Sequence, residues 1–409
     1  MGRLRVYLKT FDSTGAYDAD FTEITDDVMS IGKVSQKLDN SEYDVGILRN
    51  SSMNLKIRND QGTYSEAGAR KSIFVFKRID SIIKITWDGR LYPPKAGFFK
   101  AYSGVLGGET EVFKGLLTEV SSVSNIQEQS IDFTIQGFES LFSRVSVPYG
   151  SISNGDNISD VIYACLNQSA ITDLLTVSLS NITPDNDYVI DDKSDLENKT
   201  VEEALKSGLL LSSNSVLYIE NDIVYVTDRD AYSASVEYSF FGQASTSGIE
   251  NIIDIKKYRE GINRVFNFIT WPETSLSSSD ATSQETYGIR KKEVSTALIS
   301  TGSTSKIQTV LDAVKTEFKD PKVEFEMTAP LNYGTVALKL RSRVDIDYPT
   351  IYRSADGNPI PRWGQVVWGS FQYPIGQWTL TIGTDKNFKV MGKSIDLLKE
   401  TITFSLREI

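Results

Sequence analysis

A chain of 409 residues is longer than one hydrophobic core usually serves, so two to four domains are expected. Its 43 Lys and Arg stand against 54 Asp and Glu, and the net charge of −11 with scattered cations argues against a partner held by its phosphates. Histidine is absent, which removes Ser-His-Asp triads, Cys-His pairs and imidazole metal sites and leaves an enzyme only carboxylate or lysine chemistry.

The first 145 residues alternate as strands do. Leu4, Val6 and Leu8 interleave with Arg5, Tyr7 and Lys9, and Met53, Leu55 and Ile57 repeat the pattern before the turn signal Asn59-Asp60-Gln61-Gly62. Ile83, Ile85 and Trp87 lead into Asp88-Gly89 and then Arg90-Leu91-Tyr92, a two-residue hairpin signal. Val112 to Val120 and the alternating Ile131, Phe133 and Ile135 add further strands. No apolar run reaches the roughly 18 residues needed to cross a membrane, and the N-terminus carries no signal peptide, so a protein made and kept in a cytoplasm is expected.

From about 150 to 240 the period changes. Ile158, Val161, Ile162 and Cys165 fall at helical spacing, which makes a buried, inert thiol of the single cysteine. Thr200-Val201-Glu202-Glu203 is a capping box, followed by Ala204, Leu205 and Leu209 on one helix face. The runs Val216–Ile219 and Ile223–Val226 then form a hairpin around Glu220-Asn221-Asp222.

Strands return with Val265–Ile269, and Ser275 to Ser283 is Ser-rich enough to be expected as a mobile loop. Ile307, Val310, Leu311, Val314 and Phe318 predict a helix over 305–318, closed by Pro321. Strands are expected at Val336, Leu338 and Leu340, at Val344 and Ile346, and at Ile402, Phe404 and Leu406. Phe113-Lys114-Gly115 followed by Ser130–Ile135 resembles Phe388-Lys389-Val390 followed by Thr401–Leu406. Either two alternating strands simply look alike, or two related barrels flank the helical insertion.

The motifs that carry chemistry are weak. Gly392-Lys393-Ser394 resembles the end of a phosphate-binding loop, but Asn387 stands where the first glycine is needed. Asp185, Asp187, Asp191, Asp192 and Asp195 suggest a calcium loop, yet Val189 and Ile190 occupy a ligand position and the turn glycine. Glu324 and Glu326 could serve a glycosidase but flank Phe325 as a strand's polar face would. No catalytic residue, cofactor or metal is therefore assigned. Trp363, Trp368, Phe371, Tyr373 and Trp378 lie in a Gly- and Pro-rich segment, where aromatics pack in a core or between subunits, stack on sugars or stand exposed.

In their order, these segments resemble the phage tail-hub or baseplate-hub family. The likeness rests on Ile24-Thr25-Asp26-Asp27-Val28 with Ile31, Leu38-Asp39, and Leu55–Asp60 with Gly62. It continues through Thr200–Leu205, Leu217-Tyr218-Ile219, Tyr225-Val226, Asn263-Arg264-Val265, Tyr287-Gly288, and Phe388-Lys389-Val390 to Leu406-Arg407-Glu408. The resemblance implies a mainly β fold with α+β insertions: two tube-type β-barrels plus a small peripheral α+β domain. The expected divisions are 1–148, 149–240 and 241–409, the last with a helix-containing insertion near 290–330. It further implies a non-enzymatic homotrimer in the virion tail, assembled in the host cytoplasm. Such a ring would join the tail tube or distal tail protein to a spike or tail-tip protein, with DNA only as transported cargo. A carbohydrate-binding tail module using the 363–378 aromatics and a carboxylate-based glycan hydrolase are the alternatives.

Overall fold

The computed structural model describes residues 3–40, 45–50, 52–65, 69–88, 109–125, 128–229, 231–242, 250–259, 261–348 and 387–409. Among the described residues strand makes up 40% and helix 22%. The chain divides into two compact units, the first comprising 1–231, 261–321 and 392–400, the second 232–260, 322–391 and 401–409.

The first unit opens with β1 (Arg3–Lys9), β2 (Thr22–Glu23), β3 (Val28–Ile31), β4 (Val34–Asn40), β5 (Val45–Asn50) and β6 (Met53–Arg58). β7 (Ile82–Asp88), β8 (Thr110–Asn125) and β9 (Glu128–Gln136) follow. Seven of these form an antiparallel sheet in the order β2-β1-β7-β8-β9-β6-β3. The period-2 pattern places Val6, Leu8, Leu55, Ile57, Ile83, Ile85, Phe133 and Ile135 on the buried face. Phe133 sits edge-on to Tyr64 and Phe74, at 6.1 and 6.2 Å. The second half of the hairpin expected after Trp87 lies outside the described residues.

β4 and β5 leave this sheet for another. Within the first unit that sheet runs β10 (Ile182–Thr183), β12 (Ile223–Asp228), β11 (Ser215–Glu220), β5, β4 and then Gly392–Ile395. β11 and β12 pair through Glu220 and Ile223, and the intervening Asn221 and Asp222 have φ of 50° and 62°, as a type I′ turn demands. Helix Ile158–Leu166 buries Ile158, Val161, Ile162, Cys165 and Leu166 in the core beneath. Thr200 and Glu203 complete the reciprocal cap: the Thr200 amide donates to the Glu203 carboxylate at 2.8 Å, and the Glu203 amide to Thr200 Oγ1 at 3.2 Å. The helix then widens into a π turn over Leu205–Leu209. There a Cβ on Gly208 would stand 2.7 Å from Thr296 Oγ1, so only glycine lets the 296–298 segment approach.

Within the first unit, residues 261–321 add a small three-stranded sheet and a helix. Phe268–Thr270 pairs with Ser277–Ser279 and Lys291–Glu293, and helix Thr304–Phe318 packs Ile307, Val310, Leu311, Val314 and Phe318 with Ile269 and Trp271. The Ser-rich segment is thus a strand followed by helix Ala281–Tyr287, which corrects the expected loop. Its order comes from Asp280, which caps the helix by accepting from the Ser283 amide, and from Asn267 beneath it. A strand around Val336 is likewise replaced by the short helix Tyr333–Ala337, because Asn332 and Thr335 cap one another.

The second unit holds Val236–Phe241, Asp254–Arg259, Glu324–Pro330, Arg343–Asp347, residues 387–391 of the strand Asn387–Asp396, and Thr401–Glu408. Glu324–Pro330 lies between Asp254–Arg259 and Thr401–Glu408, both antiparallel to it. Arg343–Asp347 lies between Asn387–Asp396, antiparallel, and Val236–Phe241, parallel. Phe240, Phe325, Phe388 and Phe404 fill the apolar side.

The two tube-type barrels are not found closed among the described residues, where both main sheets are open. Pairing stops at β3, where the ladder shifts between Val28 and Ser30, and at Asp254–Arg259, where it shifts beside Lys257 at φ 54°.

Candidate functional surfaces

The acidic run is used internally. Asp185 accepts from Asn214 Nδ2 at 2.8 Å, and Asp187 caps helix Ile158–Leu166 by accepting from the Ser159 amide and hydroxyl at 3.0 and 2.8 Å. Asp191 accepts from the Ser300 amide and Lys306 Nζ at 2.9 and 2.7 Å, Asp192 from the Ser194 amide, and Asp195 pairs with Lys199. Burial alone would raise the Asp191 carboxyl, but the hydrogen bonds from Lys306, Ser303 and the Ser300 amide hold it below its ordinary value. Each carboxylate therefore fastens a loop. Among the described residues no group of His, Cys, Asp or Glu is arranged to hold a metal ion.

Glu324 and Glu326 do project from one strand, at positions two residues apart, but each meets a cation. Glu324 lies 3.6 Å from Arg407 Nε, and Glu326 accepts from Lys257 Nζ at 2.7 Å. Both carboxylates are thus engaged with cations of their own sheet. Gly392-Lys393-Ser394 lies in an extended strand, not in a loop before a helix. Cys165 is fully buried, and burial pushes its thiol up to about 12. Trp363, Trp368, Phe371, Tyr373 and Trp378 lie outside the described residues.

The main sheets share a pattern that no single motif reveals. In chain order the first sheet's six principal strands are β1, β3, β6, β7, β8 and β9, and in space they run first, fourth, fifth, sixth, third, second. The second unit's six strands stand in the same order. One pairing differs: first against fourth is antiparallel in the first sheet and parallel in the second. Ile131, Phe133 and Ile135 therefore correspond in place to Ile402, Phe404 and Leu406, all buried, and Phe113 corresponds to Phe388. The segment 363–378 falls in the connection between the fourth and fifth strands of the second set.

No family model matches the sequence, and no curated protein does. Solved structures do match the fold over nearly all of it. The tail protein from Neisseria meningitidis MC58 superposes with a TM-score of 0.55 at 11% identity, covering 99% of this chain and 95% of that one. The chain has a phage tail-protein fold. The 43 kDa tail protein of prophage MuSo2 from Shewanella oneidensis gives 0.52 at 10% identity, covering 99% and 98%. At such identities the tail-protein fold is conveyed by strand order and core pattern. No helix among the described residues is long and apolar enough to cross a membrane.

Sequence reasoning missed several buried charged groups, among them Arg229, Glu317, Lys389 and Arg407. It also missed the meeting of Lys114 with Asp222, 108 positions apart. Phe113-Lys114 drew notice only as half of a repeat, because a contact of that range leaves no local trace.

Proposed function

We propose that the chain is a structural hub subunit of a phage tail, non-enzymatic, and works as a homotrimeric ring at the distal end of the tail tube. The observation that carries this reading is the repeated strand order of the two main sheets. A tube of six-fold symmetry and a spike of three-fold symmetry differ by a factor of two. A subunit with two equivalent sheets resolves the mismatch, because three copies present six similar units to the tube and three complete chains to the spike. On this reading 1–148 and 241–409 are the hub domains, 149–240 is a peripheral module, and DNA passes through the ring as cargo. The net charge of −11 suits a passage that must not retain DNA. Virion assembly in the host cytoplasm belongs to the same reading.

The aromatics Trp363, Trp368, Phe371, Tyr373 and Trp378 are assigned to a contact with a neighbouring chain, where such side chains bury large area at low entropic cost. Purified Trp368→Ala/Tyr373→Ala protein tests this. Sedimentation is expected to show a ring weakened by several kcal/mol, on the scale of about 2 kcal/mol or more per hot-spot residue. A double variant that assembles normally and loses only glycan binding would favour the carbohydrate-binding alternative.

A further inference from the structure

The loop 69–79, between β6 and β7, presents apolar and cationic side chains together. It carries Arg70, Lys71, Lys77 and Arg78 and no acid. Phe74 is its anchor, fully buried and edge-on to Phe133 at 6.2 Å. The Ile73 amide donates to the Thr63 carbonyl at 2.7 Å, and the Phe74 amide to Ser72 Oγ at 3.1 Å. Held in this way, the loop leaves Val75 56%, Phe76 54% and Ile79 39% exposed. The Phe76 ring lies against the turn at Gly15, where an added Cβ would stand 3.3 Å from it. Lys77 Nζ lies 4.4 Å over the Phe11 ring, and Asp80 is already engaged by Lys77 at 3.1 Å and Arg144 at 2.6 Å. Apolar side chains held out to solvent by a fixed loop lose little entropy on docking, which suits them to a contact surface.

A complementary surface lies on the same chain. Residues 149–231 hold 15 Asp and Glu against four Lys and Arg. The bridge between Asn157 and Val189 lays the segment 187–192 beside the start of helix Ile158–Leu166, and Val189 remains 38% exposed there. Asp156, Asp160, Asp187, Asp191 and Asp192 stand on these two segments. Of the cations beside them, Lys306 pairs with Asp191, and Lys193 donates to the Tyr149 and Ile152 carbonyls. We propose that the 69–79 loop of one copy docks on the Val189 surface of a second copy, its cations against these aspartates and its apolar side chains towards Val189. Opposed charge selects the partner and sets the register, while Val75, Phe76 and Ile79 supply the apolar area. The two surfaces differ, so the contact is head-to-tail and closes a ring by repetition. It rests on the hub reading for the number of copies alone.

Sedimentation of the full chain tests this contact. Arg70→Glu/Lys71→Glu is expected to weaken association by about tenfold or more with unchanged circular dichroism, since both side chains are exposed. Asp160→Lys/Asp192→Lys should do the same, and the chain with all four changes should assemble again, because the opposed charges are restored. Wild-type association in Arg70→Glu/Lys71→Glu overturns the proposal, as does a four-change chain that stays dissociated. A ring of three that withstands the reversal overturns this contact and leaves the hub reading standing. An oligomer of another number that the reversal dissociates supports the contact and contradicts the hub reading. A monomeric wild type contradicts both.

Discussion

Replacing Asn267 with Ala probes what orders the Ser-rich segment. Asn267 is fully buried; its Nδ2 donates to Ser283 Oγ at 3.1 Å and to the Gly288 carbonyl at 2.9 Å, while Oδ1 accepts from the Arg290 amide at 2.8 Å. Each bond contributes about 1 kcal/mol net, and a stranded buried backbone group costs about 1–3 kcal/mol, so the substitution should cost about 3–5 kcal/mol. Only helix Ala281–Tyr287 and strand Lys291–Glu293 depend on these bonds, so the loss should appear as local opening. Hydrogen exchange over 281–293 is expected to accelerate by about two orders of magnitude or more, while helix Ile158–Leu166 keeps its protection. Unchanged exchange would refute the anchoring role. Uniform acceleration over the whole chain would refute its local character.

Asp191→Asn tests the tie between Asp191 and Lys306. Because the folded carboxyl lies below its unfolded value of about 4, its contribution is present above that pH and lost as pH falls through the folded value. Acid denaturation curves of wild type and variant should therefore converge at low pH and separate near neutrality; a constant gap would contradict this. Cys165 should resist thiol reagents at pH 8 in the folded protein and react fully in denaturant, since burial pushes its thiol up to about 12. Rapid labelling of native protein would show that the core around helix Ile158–Leu166 opens readily.

Local patterns legible in the sequence were those whose determinants are local. The Thr200–Glu203 cap, the β11–β12 hairpin and the apolar face of helix Thr304–Phe318 each rest on residues a few positions apart. Misreadings arise where a local cap overrides an alternating pattern or where distant contacts decide. Val336 and Leu338 alternate like a strand, but the Asn332–Thr335 cap starts a helix instead. Ser277–Ser279 has the composition of a loop, yet it pairs with Phe268–Thr270 over a helix that buries Ile307 and Val310. β4 and β5 alternate like their neighbours in the chain, and nothing local shows that they join a different sheet. The resemblance between the 113–135 and 388–406 segments was visible as two strands; the order of six was not, since pairing partners lie up to about a hundred residues apart.

The central claim is that two equivalent sheets per chain build a ring of three. Cryo-electron microscopy of the native oligomer tests it most directly. The account predicts three chains around one axis, with the sheet of 1–148 and the sheet of 241–409 alternating at equal radius as six similar units. A subunit number other than three, or two sheets at unrelated radii and orientations, would contradict it.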